Sequence, residues 1–265
     1  MVLSFVFIDG SYFIFHRYFS LTNWWGLAKQ EKVDERIVEN EEFVDKFKTT
    51  FSAKIIEISK KLKIANPIYI VGKDCPREEI WRNELFDQYK QHRVNNSHAG
   101  SFFKLTYKEK LFENAGVQQI ISYPHLEADD CIAITVRHVQ NKYPDANIYI
   151  ITSDMDYLQL MNEKTRIFNL AYKEIVIPEG DSDFAVRSLF CKTVMGDKSD
   201  GIQSIFPKCG PKTALKYYED KELFNKKLKE TDGALEKYEI NKKLIDFDNI
   251  PCELRDGFLR DVLLL

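Results

Sequence analysis

The chain is poor in organised sulfur. Its five cysteines, Cys75, Cys131, Cys191, Cys209 and Cys252, are scattered along 265 residues and include no Cys-x-x-Cys pair. Such spacing excludes a disulfide framework and a thiolate zinc site, and fits free thiols in a reducing compartment. No apolar run approaches the length of a membrane span, and the first residues lack the basic region and cleavage site of a secretion signal. The expectation is a cytoplasmic protein, not secreted, with no membrane partner. Low-complexity tracts and internal repeats are missing too, which removes solenoids and disordered arrays. Excess charge of either sign is also scarce, since 38 basic against 41 acidic side chains leave a net −3.

What the chain does have is acids at the ends of apolar runs. Val2 to Ile8 stops at Asp9, and Pro67 to Val71 is followed by Asp74. Asn147 to Thr152 stops before Asp154 and Asp156, while Glu127, Asp129 and Asp130 follow Val117 to Ser122. Short continuous apolar runs read as strands buried on both faces. In an open parallel sheet the crevice beyond the carboxyl ends of the strands binds ligands, so these acids are expected to meet.

Meeting is costly. Two carboxylates ~6 Å apart at an effective dielectric of ~20 repel by roughly 3 kcal/mol. Half a dozen need a positive partner among them. Hard divalent cations that seek oxygen fill that need, and Mg²⁺ is the usual one beside a phosphate, with Mn²⁺ as a substitute. Taken singly, each acid reads as readily as a loop residue or a helix cap; the repeated placement favours a metal-dependent site. The nine candidates are Asp9, Asp74, Glu127, Asp129, Asp130, Asp154, Asp156, Asp197 and Asp200. Setting them aside leaves 32 acids against 38 bases, so overall charge does not exclude a phosphate polymer.

Strand and helix patterns alternate, which predicts a doubly wound, mostly parallel α/β sheet flanked by helices. Phe43, Phe47, Phe51, Ile55, Ile58 and Leu62 recur at helical spacing and place a long amphipathic helix over about 42–63. A second helix is expected over about 77–93, with Trp81, Leu85 and Tyr89 as its apolar stripe. Arg82 and Lys90 lie off that stripe, roughly 12 Å apart along the axis. The polar segment Val94 to Ser101 reads as a loop, and a third helix opens near Glu127, where acids suit the macrodipole. Trp24 and Trp25 lie in a segment without clear periodicity, where packing beneath a loop is favoured over stacking on bases. Beyond Pro178 the pattern turns helical. The division falls between a metal-site core, 1–180, and a helical part, 181–265.

Four segments carry chemistry: Glu127-Ala128-Asp129-Asp130, Ser153-Asp154-Met155-Asp156, Gly196-Asp197-Lys198-Ser199-Asp200, and the basic stretch from Trp81-Arg82 to Arg93. With Phe7-Ile8-Asp9, Asp74 eight residues before Arg82, and Tyr89-Lys90, the set closely resembles the 5′ nuclease superfamily, the group of flap endonucleases and phage ribonuclease H enzymes. The resemblance covers nearly the whole chain. It implies a PIN-like core and a helix–hairpin–helix element, and an enzyme that removes RNA primers and 5′ flaps in replication with two Mg²⁺ ions.

Carried over by position, the resemblance assigns Asp9, Asp74, Glu127 and Asp129 to one ion. Asp154, Asp156, Asp197 and Asp200 serve the other, with Asp154 between the two and Asp130 standing behind. Arg82 and Lys90 would steer the scissile phosphate, with Arg93 beside them, and 94–101 would belong to an arch for single-stranded 5′ ends. Gly210-Pro211-Lys212-Thr213-Ala214 resembles the hairpin that grips duplex backbone, with Gly210, Lys212, Thr213 and Lys216 facing phosphate. Lys208-Cys209-Gly210 departs from the usual Gly-x-Gly there, which leaves a K⁺ ion at the hairpin open. The implied partners are flapped or branched DNA and RNA–DNA hybrid. A single-strand-binding protein or a sliding clamp stays open, and a monomer is the default. Two other classes compete: a non-catalytic junction-DNA-binding protein on the same scaffold, and a Mg²⁺ hydrolase of small phosphate esters.

Overall fold

The computed structural model describes residues 2–31, 33–93, 98–178 and 181–263. Six strands form one sheet: β1 (Ser4–Asp9), β2 (Ile68–Gly72), β3 (Gln119–Ile121), β4 (Asn147–Ile151), β5 (Thr165–Phe168) and β6 (Glu174–Ile175). Their order is β3-β2-β1-β4-β5-β6. The first five run parallel, and β6 pairs antiparallel with β5. The four strands expected from sequence all form. β5 and β6 are additions; a four-residue strand containing Thr165 and Arg166, and a two-residue strand, carry too little apolar signal to be seen.

Among the described residues there are eleven α-helices: α1 (Gly10–Ala28), α2 (Glu41–Leu62), α3 (Arg82–Leu85), α4 (Ala99–Lys108), α5 (Leu111–Asn114), α6 (Ala128–Lys142), α7 (Phe184–Met195), α8 (Pro211–Glu219), α9 (Lys221–Glu230), α10 (Ala234–Ile245) and α11 (Cys252–Asp261). Alternate residues of β1 feed two cores. Val6 and Ile8 face α1 and α2, packing with Phe13, Phe43, Phe47 and Phe51. Phe5 and Phe7 face α6, packing with Ile132, Val136 and Phe258. Cover on both faces is why β1 is apolar throughout.

Three sequence expectations change. No continuous helix spans 77–93. A short 3₁₀ turn at Arg77–Glu79 precedes the four-residue α3; Phe86 then extends, and Lys90 adopts a left-handed backbone. Of the expected 94–101 loop, 94–97 lie outside the described residues and Ala99–Ser101 open α4. The segment holding Trp24 and Trp25 is the end of α1, with Trp25 buried and Trp24 43% exposed.

The helical part has its own small core of Val194, Phe206, Ala214, Tyr217 and Phe224. It does not extend to the end of the chain. Phe247, Ile250 and Phe258 return to pack under α6, and Ile202, Leu244 and Ile245 pack with Ile80 and Tyr89, so the part beyond 180 is shared among three clusters.

One close approach sets the geometry of the site. A Cβ on Gly72 would lie 2.7 Å from the Ala128 carbonyl oxygen and 2.8 Å from the Ile132 side chain. Absence of a side chain there lets the first turn of α6 settle against the end of β2, bringing the Ala128 amide onto Asp74. Gly72→Ala is expected to lower stability by about 1–3 kcal/mol, the usual cost of overpacking, as a lower urea midpoint. An unchanged midpoint would mean the approach is looser than described.

Candidate active site

The chain moves outward from β1 through β2 to β3, then crosses back to β4 on the other side of β1. A reversal of this kind opens a crevice at the carboxyl ends of the strands. A cleft of about 1050 Å³ lies there, and eight of the nine expected acids line it: Asp9, Asp74, Glu127, Asp129, Asp154, Asp156, Asp197 and Asp200. The ninth, Asp130, lies fully buried behind them.

Local structure explains each placement. Asp9 ends β1 and caps α1, its Oδ1 accepting from the Tyr12 amide at 2.9 Å. Asp74 accepts from the Ala128 amide at 2.8 Å and from the Ser11 hydroxyl. Glu127 and Asp130 form a reciprocal capping box at the start of α6. Asp154 caps the 3₁₀ turn Met155–Leu160, accepting from the Asp156 amide at 2.9 Å.

The acids fall into two populations. Five have cations of their own. Glu127 receives Arg82 at 2.8 Å and Lys90 at 2.5 Å, and Asp130 receives Arg82 at 2.7 Å. Asp200 pairs with Arg93. Lys192 bridges Asp156 at 2.5 Å and Asp197 at 2.7 Å. Among the described residues, Asp9, Asp74, Asp129 and Asp154 form no ion pair.

Protonation follows that division. Burial, with Asp74 alongside, pushes Asp9 up to about 7. Asp74 reaches the open cleft yet is ringed by protein, and its pKa is raised by that enclosure, with Glu127 adding to it. Burial beside Glu127 and Asp130 lifts Asp129 well above the usual carboxylate range. Glu127 is held low despite its burial, by Lys90 first and then Arg82. The Lys192 hydrogen bond lowers Asp197 against its burial. Asp156 rises to about 6, through burial and then Asp154, although Lys192 opposes the rise.

The donor set fits hard divalent cations. Every candidate ligand is a carboxylate oxygen, the type Mg²⁺ and Mn²⁺ prefer, and carboxylate oxygens of Glu127, Asp129 and Asp130 lie within 4.8 Å of one another. Glu127 and Asp130 are already committed to Arg82 and Lys90, so among the described residues Asp129 is the carboxyl of that motif without an ion pair. His125, with its Nδ1 2.7 Å from the Glu79 carbonyl oxygen, stands apart as a structural residue.

Arg82 differs from the sequence expectation. Its side chain is 2% exposed, saturated by Glu127, Asp130 and the Leu244 carbonyl oxygen, and its guanidinium lies 4.6 Å from the centre of the Trp81 ring. Without a helix through 77–93, the surface assignment from helical spacing lapses. Lys90 and Arg93 do line the cleft, although Lys90 is pinned by Glu127. Lys73, also on the cleft wall, escaped the sequence reading, as did Lys192. A lysine in the last turn of a helix five residues before an aspartate was the available signal for Lys192. Gly210 caps α8, and Lys212, Thr213 and Lys216 are exposed along it while Ala214 and Tyr217 point inward.

A mostly parallel, doubly wound sheet with an acid-lined cleft at its switch point is the arrangement of a PIN-like fold. A family model described as the 5′-3′ exonuclease N-terminal resolvase-like domain matches residues 4–185. A 5′-3′ exonuclease of Buchnera aphidicola from Acyrthosiphon pisum is 30% identical over 167 residues, 61% of this chain and 56% of that protein. One from Bacillus subtilis is 26% identical over 207 residues, 68% of this chain and 66% of that protein. The matched span covers about half the length of the Buchnera relatives.

Among solved structures, bacteriophage T5 flap endonuclease with DNA and metal ions gives a TM-score of 0.67 at 18% identity, over 97% of both chains. The T5 5′-exonuclease with bound zinc gives 0.67 at 16% identity, also over 97% of both. Likeness at such identity speaks for the fold. The chain belongs to the 5′-3′ exonuclease family.

Two outcomes test the geometry. Removing one partner from a buried ion pair costs about 3–5 kcal/mol, because the remaining charges stay buried. Arg82→Ala is therefore expected to lower the urea-unfolding free energy by that amount before any substrate is added. Full stability with lost activity would instead return Arg82 to direct phosphate contact.

The second concerns pH. An acid whose folded pKa lies above its unfolded value binds more protons when folded, so stability falls as pH rises between the two. For Asp9 that window runs from 3.8 to about 7. In EDTA, Asp9→Asn is expected to melt above the parent, by a margin that widens from pH 5 to pH 7.5. The asparagine keeps the cap on α1, and comparing the two proteins cancels other titrating groups such as His16. A margin that stays constant or shrinks would contradict the raised Asp9.

Proposed function

We propose that the chain is a Mg²⁺-dependent, structure-specific 5′-to-3′ nuclease that removes 5′ flaps and RNA primers by two-metal hydrolysis. The observation that carries this reading is the group of four cleft-facing carboxylates, Asp9, Asp74, Asp129 and Asp154, left without a base of their own at the sheet's switch point. Asp9, Asp74 and Asp129 would hold one ion, Asp156 and Asp197 with Asp200 nearby the other, and Asp154 both. When bound, such a pair supplies positive charge to the phosphate oxygens and acidifies a water for in-line attack.

The remaining work falls to the chain itself. Arg82 fixes Glu127 and Asp130, which hold the start of α6 and so place Asp129. Lys90 and Arg93, at the cleft wall, face the side where a phosphate backbone would run, and would offset charge that builds on its oxygens. Phe15 and Phe103, with ring centroids 4.8 Å apart, line the same cleft and offer apolar faces to bases. That wall and the exposed Lys212, Thr213 and Lys216 favour a polymer over a small phosphate ester. The Gly210 end of α8 suits duplex phosphate, with a K⁺ ion at the hairpin as a further element. No side chain is needed as nucleophile.

A 5′-labelled flap and an RNA–DNA hybrid, each incubated with Mg²⁺ or with EDTA, test this by product length. Cleavage restricted to Mg²⁺ is expected. Asp154→Asn should lower the rate by at least about a hundredfold, the scale for losing one electrostatic element of a transition state, while flap binding stays close to that of the parent. Near-normal turnover by that variant would sink the assignment. Tight binding without cutting by the parent would favour a junction-binding protein.

A further inference from the structure

The two halves of the acid cluster are not equivalent. Among the described residues, Asp9, Asp74 and Asp129 form no ion pair, whereas Asp156 and Asp197 share a lysine. The Lys192 ammonium lies 2.5 Å from an Asp156 oxygen and 2.7 Å from an Asp197 oxygen. Its placement is built into the backbone. Lys192 sits in the last turn of α7, which Gly196 then ends with a left-handed turn at φ 73°. A Cβ on Gly196 would lie 2.3 Å from the Ile202 carbonyl oxygen and 2.5 Å from the Gln203 backbone. Only glycine fits there, and the turn it permits folds Asp197 back over the lysine. The Ile202 amide closes that turn on the Asp197 carbonyl at 2.8 Å, and Ser199 holds the other carboxylate oxygen of Asp197 at 2.6 Å. Asp156 comes to the same point from the opposite side, on the turn that Asp154 caps. A fixed pair of carboxylates thus grips an ammonium at the end of a flexible four-carbon stem.

We infer that Lys192 is a resident cation of the second metal position, which a divalent ion must displace from Asp156 and Asp197 in order to bind. This rests on the two-ion reading above. Its consequence is a built-in order of affinity: the position formed by Asp9, Asp74 and Asp129 fills first. The position formed by Asp156 and Asp197 fills only at higher concentration, since the incoming ion competes with a covalently tethered charge at very high local concentration. Lys192 then acts as a positioning residue, holding the second pair of ligands in register until the ion arrives. The strongly hydrated, mobile ammonium of lysine suits a displaceable charge better than a forked guanidinium.

The test is Mn²⁺ binding to the full chain, followed by the electron paramagnetic resonance of free Mn²⁺ and by calorimetry without nucleic acid. The parent is expected to bind one ion tightly and a second at least tenfold more weakly. Lys192→Met keeps the length of the stem without its charge. It should tighten the second ion by tenfold or more, leave the first within threefold, and melt at lower temperature than the parent in EDTA but not in excess Mn²⁺. Lys192→Arg should retain the weak second ion.

Two ions bound by Lys192→Met with parental affinities, or a second ion weakened by it, would overturn the role of Lys192 and leave the two-ion reading standing. A single ion in both proteins at every concentration would overturn that reading and this inference together. Failure of Lys192→Met to fold even in excess Mn²⁺ would also count against the inference, because an entering divalent ion should replace the lost charge.

Discussion

The arrangement of the cleft depends on one guanidinium. Arg82 is enclosed on all sides, and its donors reach Glu127, Asp130 and the last turn of α10 at once. Glu127 and Asp130 are the two ends of the capping box that starts α6. The same charge therefore fixes where that helix begins, the direction in which Asp129 points, and how the helical part leans on the core. Tyr89 and the backbone amide of Lys90 extend the contact to Glu127 and to the Asp200 carbonyl. A buried charge of this kind adds little net stability once desolvation is counted. What it confers is register, because its donors hold Glu127, Asp130 and the Leu244 carbonyl oxygen at the same time.

Around that fixed centre, charge is distributed unevenly for a reason. A cleft with eight ionised and unpaired carboxylates would repel itself apart, and one with every acid paired would take a cation only by displacing a tethered base. The protein takes a middle course. Glu127, Asp130 and Asp200 are paired in place with Arg82, Lys90 and Arg93 and act as scaffolding, while Asp156 and Asp197 share the ammonium of Lys192. Asp9, Asp74, Asp129 and Asp154 remain uncompensated. Acids two residues apart on the same motif, Glu127 and Asp129, thus do opposite work.

Much of this was legible in the sequence, though unevenly. Strands β1, β2 and β4 announced themselves because cover on both faces makes them mostly apolar, and β3, though only three residues long, lies within the apolar run Val117 to Ser122. The acids at their ends followed, since strand ends are where a doubly wound sheet opens. α2 was legible because Phe43, Phe47, Phe51, Ile55 and Ile58 stripe one side of an otherwise charged helix. α1 was not: Phe13, Ile14, Tyr18, Leu21 and Trp25 are buried, while Phe15, Phe19 and Trp24 make its other face aromatic as well. With aromatics interleaved among His16, Arg17, Ser20 and Asn23, the contrast between its faces is too weak to show a period. The 77–93 segment misled because Trp81 and Tyr89 are indeed buried at helical spacing, yet they reach the interior from separate turns. Which acid meets which base was invisible, because those contacts cross long stretches of chain. Asp130 finds Arg82, and Asp156 finds Lys192, only once the fold exists.

The order of the strands also bears on how the molecule assembles. Asp9 belongs to the first strand and Asp154 follows the fourth, and they become neighbours only when that later strand docks against the first. Early, local pairing of β1 with α1, α2 and β2 proceeds without their mutual repulsion, which arises with a contact between distant parts of the chain, the slow kind to form. The cleft's electrostatic penalty therefore comes in two instalments, the larger with Asp74 when β2 pairs with β1 and the smaller with Asp154 when β4 docks, and a divalent ion in the surrounding solution can relieve both.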